Sequence, residues 1–368
     1  MKVLHLYSGN LYGGIETLLT TLARHRHRAP QMEPAFGLCF RGRLWDELTA
    51  AGVLVHDLGP VRASRPWTVL RARRRLRRVL AADRPDAVVA HSPWPHAVFA
   101  PVVRRAGVRL VFAAHNFLAR RHWVERWAAR TRPDRVIANS HATAATTPTV
   151  FPGQVAEVVY YPVAPAPVAD PAAARAAVRA ELGTAADTVV VLQASRLEWW
   201  KGQRVTVAAL ARLRDVPGWE CWVAGGPQMA GEEEYLNELK SAVERGGVAD
   251  RVRFLGQRSD VTRLMAAADV FCQPNAGPEP FGIVFVEALH AGLPVVTSDF
   301  GGAVEIIKEE CGVLTAPGDA ASVAAALAGL IRDPDRRRAL AECGPDRAET
   351  LCDPGRQINQ LAVAVRGG

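Results

Sequence analysis

A chain of 368 residues exceeds what one hydrophobic core comfortably fills, so two domains are the expectation. Its 49% apolar and 22% charged residues are those of a globular enzyme, and no apolar run approaches the ~18 residues that span a bilayer. The net charge of +8 is uneven: residues 1–165 hold 24 Lys+Arg against 10 Asp+Glu, the remainder 21 against 27, so the halves carry +14 and −6.

In chain order, MKVLHLYSGN enters a strand-like run at once and turns too early for a signal peptide. KVLHLYS (2–8), PAFGLCF (34–40), VLVHDL (53–58), DAVVAHS (86–92), RLVFAAH (109–115) and DRVIANS (134–140) read as strands. Between them, 15–26 and 67–82 carry apolar residues at helical spacing. Residues 162–174, PVAPAPVADPAAA, read as a linker. The pattern then restarts with TVVVLQAS (188–195), WECWVAGG (219–226), RVRFLGQ (251–257), DVFCQP (269–274), PVVTSD (294–299) and GVLTAP (312–317). Strands alternating with helices predict an α/β chain of two doubly wound, Rossmann-like domains facing across a cleft, 1–165 and 166–350, with a C-terminal helix in 351–368 crossing back to the first. The six cysteines show no CxxC spacing, and Cys221 and Cys272 lie in apolar strands. They read as reduced core residues of a cytoplasmic protein, with no zinc site.

Three loops after strands carry chemistry. In SGNLYGGIE (8–16), Gly13 and Gly14 precede a helix, so their N–H groups can approach a phosphate or a sugar hydroxyl; a plain tight turn is the alternative. In ASRLEWWKGQ (194–203), Arg196 and Lys201 stand five apart in a chain with only four lysines, a pairing suited to a diphosphate. Trp199 and Trp200 either wall that site or pack. In GPEPFGIVFVEALHAGLPVV (277–296), two carboxylates flank an apolar helical run. With Glu287 two helical turns in, its rise from Glu279 is ~12 Å, too far for an acid/base pair on one bond. Two carboxylates suit instead the two sugars at the ends of a nucleotide sugar, with the diphosphate over the helix N-terminus between them.

The pattern ExFGxxxxE after R-x4-K, with GG near the N-terminus, resembles the retaining family 4 glycosyltransferases of GT-B fold (glycosyl transferases group 1). The resemblance covers essentially the whole chain and is most specific in EPFGIVFVEALHAGLPVV and SDFGGAVEII (298–307). It implies an N-terminal acceptor domain and a C-terminal nucleotide-sugar donor domain. It further implies that Glu279 contacts the donor hexose and Glu287 the ribose. Arg196 and Lys201 then hold the pyrophosphate with N–H groups of Phe281, Gly282 and Ile283, and Leu255 to Gln257 meet the base. Gly13 and Gly14 match the glycine loop near the donor phosphate, and His115 the histidine lining the reaction centre. Glu305 matches an acid that often follows GG.

The expected reaction moves a hexosyl unit from a UDP- or GDP-linked sugar to a carbohydrate, lipid-linked or small-molecule hydroxyl. Anomeric retention follows front-face attack, with the departing phosphate taking the acceptor proton. No cofactor or metal is expected; Glu279, His115, Arg196 and Lys201 are the catalytic candidates. A nucleotide-sugar epimerase of the same architecture is the alternative enzyme. The other alternative is a basic membrane- or nucleic-acid-binding protein without catalysis. Nucleic acid is disfavoured because no aromatics interleave the arginine run Arg71–Arg78. In helix 67–82, Val69, Ala72, Leu76, Val79 and Leu80 share one face and six arginines cover much of the rest, which suits either water or the inner face of an anionic membrane.

Overall fold

Short β-branched runs alternating with helices fold here as two separate parallel sheets. The computed structural model describes residues 1–9, 13–166 and 168–367. It divides into two units, Met1–Ala164 with Cys352–Gly368, and Pro165–Leu351.

The first unit holds β1 (Lys2–Tyr7), β2 (Glu33–Leu38), β3 (Leu54–Asp57), β4 (Ala87–His91), β5 (Arg109–Ala114), β6 (Arg135–Ala138) and β7 (Ala156–Val158), ordered β3-β2-β1-β4-β5-β6-β7. Every pairing is parallel, so each connection crosses over through a helix or loop. The three-residue β7 is too short and too polar at Glu157 to stand out in the sequence. The helix Pro66–Asp83 buries Val69, Ala72, Leu76 and Leu80, as its spacing predicts. The C-terminal helix Pro354–Arg366 sets Ile358, Leu361 and Val365 into the same core as Leu19, Leu22 and Phe36.

The second unit holds β8 (Val189–Ala194), β9 (Trp219–Ala224), β10 (Val252–Gly256), β11 (Val270–Gln273), β12 (Val295–Ser298) and β13 (Gly312–Thr315), ordered β10-β9-β8-β11-β12-β13. Its core joins Val191, Leu210, Trp219, Cys221, Val270 and Cys272. Both cysteines are free and fully buried. The last four residues of the expected linker are instead helical, opening the helix Pro171–Leu182. Asp170 accepts from the N–H of Ala173 at 2.9 Å, Pro171 sets the first helical φ, and Gly183 ends the helix at φ +63. Among the described residues no helix is long and apolar enough to cross a membrane.

Candidate active site

In open parallel sheets, ligands bind beyond the carboxyl ends of strands where the strand order reverses. In the second unit that point lies between β8 and β11, and the loops leaving these two strands carry Lys201 and Glu279. Lys201 Nζ donates to Glu279 Oε2 at 2.7 Å, with the two side chains only 14% and 11% exposed. The ammonium also lies 3.9 Å from the Trp200 ring centroid. Trp200 therefore walls the site, whereas Trp199 is exposed. Arg196 is half exposed and its guanidinium pairs with Glu198 at 3.1 Å rather than with Glu279.

Glycines bring these loops together. Gly202 has φ +77, and a Cβ there would lie 1.9 Å from the Pro274 carbonyl oxygen, so the β8 and β11 loops touch backbone to backbone. The GG pair of SDFGGAVEII does the same from the loop after β12. A Cβ on Gly301 or Gly302 would lie 2.6 Å from the carbonyl oxygens of Glu279 or Pro280, and the Gly302 N–H donates to the Glu279 carbonyl at 2.7 Å. Glu305 is half-buried on the short helix Ala303–Ile306, and its carbonyl accepts from Arg347 Nη2 at 2.5 Å.

The helix expected from Phe281 begins two residues later, spanning Ile283–His290 with Gly282 at its N-cap in a left-handed conformation. At φ +104, Gly282 turns the chain so sharply that a Cβ would strike the Phe285 ring at 2.4 Å. Residues 279–282 are thus a loop, and the ~12 Å helical rise from Glu279 to Glu287 does not apply. Glu287 is the fifth residue of the helix, ~6 Å along the axis from Ile283. Its side chain makes no hydrogen bond among the described residues, and burial raises its carboxyl pKa. Phe281 is buried, while Leu255 and Gln257 lie at the end of β10, where a Cβ on Gly226 would meet the Gln257 nitrogen at 2.8 Å.

In the first unit the order reverses between β1 and β4. Gly13 and Gly14 are exposed at the start of the helix Gly14–Arg24, at that reversal; residues 10–12 of the glycine loop lie outside the described residues. His115, just past β5, is buried and has both ring nitrogens occupied. Nε2 meets His91 Nδ1 at 2.9 Å and Nδ1 meets the Tyr161 hydroxyl at 2.6 Å, while His91 Nε2 reaches His5 Nδ1 at 2.9 Å. Burial lowers the pKa of His5 and of His115 to about 3 and that of His91 well below its ordinary value. In this arrangement His115 is neutral and has no free ring nitrogen for a proton transfer. Sequence reasoning missed His5, His91 and Tyr161, and likewise Gln273 and Asn275 beside Glu279. Their one signal is a polar residue inside or just after an apolar strand.

Residues 174–347 match the family described as glycosyl transferases group 1, and residues 12–166 match Glycosyltransferase Family 4. The chain belongs to this glycosyltransferase family. The Anabaena HepE structure with UDP and glucose, 28% identical, superposes with a TM-score of 0.80 over 98% of both chains, consistent with a GT-B fold. A phosphatidyl-myo-inositol mannosyltransferase of Mycolicibacterium smegmatis is 39% identical over 37% of this chain and 34% of its own length. A D-inositol 3-phosphate glycosyltransferase of Saccharomonospora viridis is 37% identical over 48% of this chain and 42% of its own. The chain thus matches less than half the length of these curated relatives.

Proposed function

We propose that this family 4 chain is a retaining, metal-independent glycosyltransferase that moves a hexosyl unit from a nucleoside diphosphate sugar to an acceptor hydroxyl. The observation that carries the reading is the Lys201–Glu279 pair at the β8/β11 reversal, with Glu287 on the helix that follows and unpaired among the described residues. Lys201 and Arg196 supply the cations for a departing diphosphate, and Glu279 and Glu287 accept sugar hydroxyls at its two ends. The bond from the anomeric carbon to phosphate breaks as the acceptor oxygen bonds on the same face, and the phosphate takes the acceptor proton. The HepE structures with UDP and UDP-glucose support a uridine diphosphate sugar as the first donor to try.

A thermal-shift panel of UDP, GDP, ADP and their common sugars tests this. One nucleotide should raise the midpoint, because it binds only the folded state, and Glu287→Ala should abolish the shift. Absence of any shift would sink the reading. Conversion of the donor sugar without an acceptor would favour an epimerase.

We also propose that the first unit meets anionic lipid. Trp67 and Leu70 are exposed on the helix Pro66–Asp83 at i, i+3 spacing, and the stripe continues through exposed Arg71, Arg74, Arg77 and Arg78. Arg73 and Arg75 are instead tied back to the Val98 carbonyl and to Asp57. Apolar anchors beside a cationic row fit an anionic bilayer surface. Flotation with vesicles containing an anionic phospholipid should carry the protein, and Trp67→Ser with Arg74→Glu should release it. Equal flotation with purely zwitterionic vesicles would refute the electrostatic part.

A further inference from the structure

Glu279 Oε2 has a second partner. Asn275 Nδ2 donates to it at 3.1 Å, alongside Lys201. Oε1 makes no hydrogen bond among the described residues. Asn275 cannot turn its amide over without loss, because its Oδ1 accepts from Gln273 Nε2 at 3.0 Å and a carboxylate only accepts. Its main chain is fixed as well: the Asn275 N–H donates to the Gln273 carbonyl at 3.0 Å and Ser298 Oγ–H donates to the Asn275 carbonyl at 2.8 Å. Gln273 and Asn275 are 0% and 1% exposed, so water does not compete for these bonds.

The two partners of Glu279 differ in what a donor would do to them. Lys201 is a flexible point charge, and an arriving diphosphate competes with Glu279 for it. Asn275 is neutral and braced from three sides, so a phosphate gives it no reason to move. We infer that Asn275 is a positioning residue: with Lys201 drawn to the diphosphate, its N–H alone keeps Glu279 Oε2 in place and so aims Oε1 at the donor sugar. This rests on the sugar-transfer reading above. Glu279 then acts on the sugar and not on the nucleotide, and so does Asn275 through it.

The test compares binding of UDP with that of UDP-glucose by calorimetric titration, using GDP and GDP-mannose where the wild type ignores uridine. Asn275→Ala should lower affinity for the sugar nucleotide relative to the bare nucleotide by about tenfold, the worth of one hydrogen bond to a charged group, and leave nucleotide affinity as it was. Asn275→Leu, of similar size but with no N–H for Glu279, should shift the ratio the same way. A wild-type ratio in both variants overturns the inference. So does an equal loss for nucleotide and sugar nucleotide, which marks a merely structural residue. If the wild type binds none of these four ligands, nor ADP and its sugars, the sugar-transfer reading fails and this one with it.

Discussion

Gly202 and Gly183 share a left-handed backbone, at φ +77 and +63, but not a neighbourhood. Around Gly183 a Cβ would meet nothing within 4 Å; at Gly202 it would drive into the Pro274 carbonyl. Gly183→Ala should therefore cost only the conformational penalty, about 1–2 kcal/mol, and Gly202→Ala clearly more, since one of two abutting loops must move. Urea unfolding checks this, and equal losses would refute the close approach. Because Lys201 precedes Gly202, Gly202→Ala should also cut transfer. Lys201→Ala should lower kcat by about 10²–10³ with the fold intact, as removal of a charge-stabilising donor does. Lys201 and Glu279 are legible in the sequence because charges stand out there: one of four lysines, and a carboxylate bordering an apolar run. Gln273 and Asn275 are not legible, since a polar residue at a strand end reads as an ordinary turn until the carboxylate it holds is located in space.

At the scale of elements, strands and the major helices follow from period and composition, but strand order does not. His5 lies inside the apolar stretch of β1 and His91 ends the apolar β4, and only the pairing of β4 with both β1 and β5 lines them up with His115. The rings stack at centroid distances of 5.2 and 5.1 Å and end on Tyr161. Such a buried row has a consequence for acid stability. Burial holds His5 and His115 neutral down to about pH 3, and His96, bonded to the Thr131 carbonyl, to about 4. The unfolded chain protonates the same residues below about pH 6.5. Between those limits the unfolded state binds more protons, so stability is full above about 6.5 and falls as pH drops. The loss is about 1.4 kcal/mol per pH unit for each histidine, or about 4 for the three. Against a typical total of 5–15 kcal/mol, the first unit should unfold between about pH 5 and 3. Circular dichroism against pH would show it, and unchanged stability from pH 7 to 5 would contradict the buried neutral row.

For the whole molecule, each unit has its own core, and the last helix belongs to the first unit although the chain reaches it from the second. Spacing in the amphipathic run near the end of the chain shows a buried face, and the fold seats that face on the first core, where the helix expected in 351–368 crosses back. Ile358, Leu361 and Val365 are each nearly or fully buried, and Arg28 pairs with Asp353 at 2.9 Å where the helix begins. At about 1.5–3 kcal/mol for each large apolar side chain, these three alone supply about 4.5–9 kcal/mol, comparable to the entire stability of a domain. A chain ending at Asp353 should therefore lose the folded first unit. The second unit keeps every residue of its core and of the Lys201–Glu279 site. Calorimetry of the full chain should show a transition that UDP or GDP raises and another that nucleotide leaves alone. In the shortened chain only the nucleotide-sensitive transition should remain, while sugar transfer vanishes. Survival of both transitions would mean that the helix is dispensable packing. Loss of both would mean that the units do not stand apart energetically.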